Sequence, residues 1–275
     1  LWWAARRSTE ARPFWGLLAA GWASNLVGNV TWGVYEFVTG RSLPTPSPVD
    51  AVYLARYACV LMALWRYLGS PTRRRWVDPI AVTCAATTVA WMGLFRPTLG
   101  STGITLTHFL DFTMGATYPI LDAAPITLGL LAWAHAEQGR SRCVVGLVTL
   151  AMISYGAANW LNFASPLSPA AGSDLPGFFW PLADILAGLA AWVVVWRRTP
   201  SMGMTARQTA LTRWVERVPC LAGLGTAGLT AGDLILRGGR VDPVPIACTA
   251  IALGALGYRS WRGQRREEAK HATEG

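Results

Sequence analysis

Pro46-Ser-Pro-Val-Asp-Ala-Val-Tyr-Leu-Ala-Arg-Tyr-Ala-Cys-Val-Leu-Met-Ala-Leu-Trp65 is the stretch from which the rest of the chain can be read. Ser47 is a helix N-cap. Pro48 suits the first helical position, where its missing N–H would be unpaired anyway, and Asp50 closes a capping box. The apolar run that follows has the length a bilayer requires, roughly 20 residues at 1.5 Å rise each. The stretch is therefore a capped membrane helix. A Pro and an Asp at the head of an apolar run recur at Tyr118-Pro119-Ile-Leu-Asp122, at Trp180-Pro181-Leu-Ala-Asp184 and at Asp242-Pro243, as a helix hairpin used several times would give.

Composition points the same way. With 52% hydrophobic and 14% charged residues and 15 Trp in 275, the chain is more apolar and less charged than soluble domains are. The formal charge of +9 does not mark a nucleic-acid partner, because the basic residues, Arg in all but one case, nearly all lie in short connections between apolar runs. Cys59, Cys84, Cys143, Cys220 and Cys248 stand singly within apolar segments and read as small buried hydrophobes rather than disulfides or zinc ligands.

About eight full spans are expected, near 14–37, 48–68, 77–95, 116–134, 143–163, 177–196, 218–236 and 243–258. Leu-Trp-Trp-Ala-Ala before Arg6 and Arg7 reads as the last turns of a further, truncated helix, which leaves no signal peptide to assign. The fold class is thus all-α, a polytopic integral membrane helix bundle. The connections at 6–13, 66–77, 135–142, 197–217 and 259–275 hold 19 of the 24 Arg and Lys, and the alternate loops hold only Arg41, Arg96, Arg237 and Arg240. The positive-inside rule puts both ends of the chain in the cytoplasm. Every second helix carries the Pro/Asp head, so two-helix units repeat in parallel. Four regions follow: a bundle core over 1–196, a connector over 197–217, a final transmembrane hairpin over 218–258 and a basic tail over 259–275. Within the connector, Leu211, Trp214, Val215 and Val218 beside Arg207, Arg213 and Arg217 predict an amphipathic helix on the cytoplasmic surface, and Ser101 to Gly115 predicts an interfacial or re-entrant stretch.

Several classes drop out. Retinal needs a lysine inside a membrane helix, and the single lysine is Lys270 in the tail. Haem needs axial ligands, and His108, His135 and His271 lie at or beyond span ends. The chain contains no phosphate-binding loop, nucleophile elbow or HExxH, so no enzyme, cofactor or metal is expected.

Ionisable groups inside a bilayer are costly and are candidate sites by default. Arg56, Asp122, Asp184 and Asp233 are such groups, and Arg56 can pair with Asp122 or Asp184. Trp32, Tyr35, Glu36, Tyr53, Tyr57, Asn159, Trp160, Asn162 and Trp180 share the outer half and can line a small-molecule pocket with aromatic walls. The alternatives are structural: Ser47, Asp50 and Asp242 as caps, an aromatic belt, and an Arg–Asp pin between helices. His108 and Asp111 share a helical face, as a proton-sensitive pair or a solvated one. The tail from Arg259 to Lys270 is either a signalling helix or a stop-transfer flank.

PSPVDAVYLARYACVLMAL, TYPILDAAPITLGLLAWA and FFWPLADILAGLAAW are similar to the multi-pass N-terminal membrane region of actinobacterial signalling proteins in which GGDEF or GGDEF-EAL domains follow. That resemblance covers most of residues 14–196 and implies an input or sensor module whose cytoplasmic partner makes or degrades cyclic di-GMP. No GGDEF, EAL or kinase motif occurs in the chain, so catalysis would lie in a further domain or a separate protein. The bilayer, an output domain or partner protein, and a second copy in a homodimer are the partners this allows. A small transporter or channel, or a structural subunit of a membrane complex, are the competing readings.

Overall fold

The computed structural model describes residues 1–7, 11–68, 77–96, 105–137, 140–164, 175–197, 210–239 and 242–274. Among these no strand occurs. The helices are α1 (Trp2–Arg7), α2 (Arg12–Thr39), α3 (Pro48–Leu68), α4 (Val77–Ala90), α5 (Leu106–His135), α6 (Arg140–Ala164), α7 (Leu175–Arg197), α8 (Ala210–Leu236) and α9 (Pro243–Glu274), with a π-helical turn, Trp91–Phe95, prolonging α4. Glycine ends two of them. Gly40, at φ 63°, turns its amide back to the Glu36 carbonyl at 2.8 Å after α2, and Gly238 and Gly239, at φ 63° and 84°, close α8.

Among the described residues, four helices are long and apolar enough to cross a membrane: Pro48–Leu68, Ser141–Phe163, Leu175–Trp196 and Arg213–Leu236. The expected eight are not supported in full. α4 has only 14 residues before its π turn, Asn25, Asn29 and Glu36 dilute α2, Asp122 with Pro119 and Pro125 dilutes α5, and charge dilutes the far end of α9. Residues 210–217, expected in a separate surface helix, run without a break into α8. The rest of that connector, 198–209, lies outside the described residues. Residues 106–115 likewise form the first turns of α5 rather than a separate element. The final span and the basic tail are one helix, α9.

α6 is the central helix, with 61% of its span enclosed against 22% for α8. Its Val144, Val145, Val148 and Met152 share one buried core with Trp15 and Leu18 of α2, Val60 and Leu64 of α3, and Leu128 of α5, while Ala183, Ala187 and Ala190 let α7 lie close. A second, smaller core joins Ala81 and Cys84 of α4 to Cys248 and Ala252 of α9. α4 therefore packs with the last hairpin, and α5 joins the two groups by touching α4, α6 and α8. The outward faces are apolar, as with Leu26, Val27, Val30, Val34 and Phe37 on α2 and Ile185, Leu189, Trp192 and Trp196 on α7, and such faces suit hydrocarbon contact.

Candidate functional site

The head of α3 is built by local rules and then used a second time. The Ser47 amide donates to Asp50 Oδ2 at 2.6 Å, and its hydroxyl lies 3.2 Å from the same oxygen, satisfying groups that a helix start leaves open. The other oxygen, Oδ1, accepts from the hydroxyl of Tyr118 on α5. The buried Asp50 thus joins two helices as well as capping one. The Tyr118 ring stands edge-on to Tyr53 at 6.3 Å and stacks on Tyr57 at 6.4 Å, while Tyr53 donates to Asn29 Oδ1 of α2 at 2.9 Å.

One turn deeper on α5, the fully enclosed Asp122 accepts from Asn159 Nδ2 of α6 at 2.7 Å. The same amide nitrogen reaches the Tyr57 hydroxyl at 3.2 Å, and Asn159 Oδ1 accepts from the indole N–H of Trp180, on α7, at 3.1 Å. Tyr57 donates in turn to the Tyr118 carbonyl at 3.3 Å. Asn159 is therefore the point where α3, α5, α6 and α7 meet.

Arg56 lies beneath this layer, eight residues into α3, or about 12 Å from its head. It is 3% exposed. Its guanidinium carbon sits 3.3 Å above the Tyr155 ring centroid, with the rings of Tyr57 at 5.3 Å and Trp22 at 5.6 Å, an aromatic setting that attracts a desolvated cation. The expected ion pair is not formed: among the described residues no carboxylate comes within 4.0 Å of Arg56, and its buried Nε has no hydrogen-bond partner. Asp122 and Asp184 are near enough to feel its charge, yet each is held by another donor, Asp184 by the Trp22 indole at 2.9 Å. Tyr155 is fixed by its hydroxyl donating to Asn25 Oδ1 at 2.6 Å. Polar side chains of five helices thus converge on one buried cation.

Of the residues expected to line a pocket, Arg56, Tyr53, Tyr57, Asp122, Asn159, Trp180 and Asp184 come together. Trp32, Tyr35 and Glu36 lie on the last turns of α2, and with Trp160 they make no hydrogen bond to the cluster among the described residues. Asp111 is exposed, and the His108 side chain lies outside the described residues. Trp22, Asn25, Asn29, Tyr118 and Tyr155 belong to the cluster and were not expected there, because an aromatic or amide residue in an apolar run carries no signal of which helix it faces.

Two other polar groups tie the second core at its ends, one of them the Arg259–Asp78 ion pair of α9 and α4. Arg96 lies 2.7 Å from Asp233 and 3.5 Å from Asp242, Arg237 is 3.8 Å from each, and Trp91 donates to Asp242 at 2.9 Å. Asp242 also accepts from the Val244 amide at 3.2 Å at the head of α9. Between these ends Cys84 and Cys248 share the small buried core, a meeting their isolated positions in sequence do not suggest. Among the described residues no three His, Cys, Asp or Glu side chains are gathered as metal ligands.

No protein-family model, curated protein or solved structure matches the chain.

Proposed function

We propose that the chain is a membrane-embedded input module, in which a ligand or membrane condition acting on the Arg56 cluster biases helix packing and α9 carries the shift to a cytoplasmic output. The observation that supports this most directly is the convergence of five helices on one buried, incompletely partnered cation. A change in what Arg56 contacts alters the packing of α2, α3, α5, α6 and α7 together. In this reading the chain threads the bacterial inner membrane eight times with its C-terminus in the cytoplasm, as its arginine distribution favours. Resemblance to the membrane regions that precede GGDEF domains makes cyclic di-GMP turnover the output, carried by a further domain or a partner protein.

The test places nitroxides at Trp214→Cys and Trp261→Cys, both exposed sites, in nanodiscs and in a background with the native cysteines replaced by serine. Arg56→Lys and Asp122→Asn are each expected to move the distance distribution by about 2 Å, the scale of helix shifts in switching proteins. Distributions unchanged in both variants would remove the reading. A small transporter is the second reading, favoured by Pro119 and Pro125, which interrupt the hydrogen-bond ladder of α5 around Asp122. Solute flux through liposomes carrying the purified protein decides for it, since an input module passes nothing.

A further inference from the structure

We propose that Arg56 is the docking point for an uncharged, lipid-soluble carbonyl compound of the quinone class, which reaches it from the bilayer between α2 and α7. This rests on the reading of the Arg56 cluster as the receiving site. A guanidinium has five N–H donors and no acceptor, and Arg56 is 3% exposed with no hydrogen bond among the described residues and with Nε orphaned. A donor left unmade in an apolar interior is costly, so the cluster is short of acceptor oxygens. Its own carboxylates are engaged elsewhere, Asp122 by Asn159 and Asp184 by Trp22.

Charge and access narrow the class. Asp122 and Asp184 outnumber the single cation, so a fatty-acid carboxylate or a phosphate would meet net repulsion, whereas a carbonyl oxygen would not. The rings of Tyr53, Tyr57 and Tyr118, tied by the Tyr118–Asp50 hydrogen bond, roof the cluster toward the head of α3. The side is different. α2 and α7 are not packed along their lengths among the described residues, and the Trp22–Asp184 hydrogen bond spans the gap. Asp184 is exposed there on an otherwise apolar face with Ile185 and Leu189. A carboxylate in that setting is expensive without a polar neighbour. Gly188, one turn further along α7, is also exposed, and a Cβ there would meet nothing within 4 Å, so that part of the helix face is uncovered. A planar head group can slide past Trp22, stack on the aromatic rings and offer its carbonyl to the guanidinium, with its apolar tail left in the lipid.

The probe is an azido derivative of a short-chain ubiquinone, bound to the protein in nanodiscs and cross-linked by light. Saturable labelling of peptides containing Trp22, Tyr155 or Asp184 is expected, and Arg56→Met is expected to weaken binding at least tenfold. Gly188→Trp, which adds bulk to the exposed face one turn from Asp184 and leaves the cluster intact, is expected to do the same and decides alone if Arg56→Met does not fold. Binding unchanged in Gly188→Trp, no saturable labelling of the folded protein, or stronger competition by decanoate than by an unlabelled quinone overturns the proposal. Binding that leaves the Trp214–Trp261 label distance unchanged keeps the quinone site and removes the input-module reading. A stimulus that moves that distance with no quinone bound keeps the module and removes the site.

Discussion

Arg259 Nη1 of α9 lies 2.6 Å from Asp78 Oδ1 of α4, and its Nη2 donates to the Glu216 carbonyl of α8 at 3.1 Å. One guanidinium thus joins three helices at the end of the second core opposite Arg96. Both side chains are largely enclosed, at 15% and 6% exposure. Arg259→Gln removes the cation from a buried carboxylate and is expected to lower stability by about 1–3 kcal/mol, read as a drop in thermal unfolding temperature in detergent. Adding Asp78→Asn should recover part of that loss, since two residues in contact do not act additively. Equal unfolding temperatures for wild type and Arg259→Gln would show the contact to be idle.

Asn159→Leu keeps the volume near the Arg56 cluster but takes a hydrogen-bond partner from Asp122, Tyr57 and Trp180 at once. The expected cost is about 1–3 kcal/mol. A loss below about 0.5 kcal/mol in denaturant titration, within the range of surface substitutions, would mean that water or lipid groups already serve these atoms.

Gly28 and Gly33 make a matched pair on α2. A Cβ at Gly28 would come within 2.6 Å of the Tyr53 ring, and one at Gly33 would meet nothing within 4 Å. Gly28→Ala forces Tyr53 off Asn29 and is expected to destabilise by about 1–3 kcal/mol. Gly33→Ala only removes backbone freedom and should stabilise by about 0.5–1 kcal/mol. Opposite signs in the two melting-temperature shifts are the outcome to look for.

Threading is tested with single cysteines at Arg41 and Arg140 in a cysteine-free background and a membrane-impermeant thiol reagent. Arg41→Cys should react from outside intact cells, and Arg140→Cys only after lysis. Reaction of both from one side would end the alternating arrangement on which the arginine pattern was interpreted.

How much of this was legible in the residues depends on the distance over which each contact acts. The capping of α3 was legible, because Ser47, Pro48 and Asp50 are neighbours and their geometry follows from helix ends alone. The all-helical class was legible from long apolar runs. The number of spans was less so: α2 and α5 were expected to cross, yet Asn25, Asn29 and Asp122 leave them more polar than the four helices that are apolar enough to do so. Asp122 and Arg56 stood out as charges in apolar runs. Their actual partners, Asn159 and Tyr155, did not, since amide and aromatic residues are common in such helices and only packing selects between them. Arg96 and Asp233 are 137 positions apart, and nothing in either neighbourhood announces the other.

The length of α9 has a mechanical consequence. The helix runs on for fifteen residues past Arg259, to Glu274, or about 22 Å at helical rise. With Arg259 pinned to Asp78 as a fulcrum, a tilt of roughly 10° in the upper part swings the far tip by about 4 Å over that length. The basic extension is an arm nearly as long as the part of α9 that precedes Arg259, so a tilt of that part reaches the far tip with its amplitude undiminished.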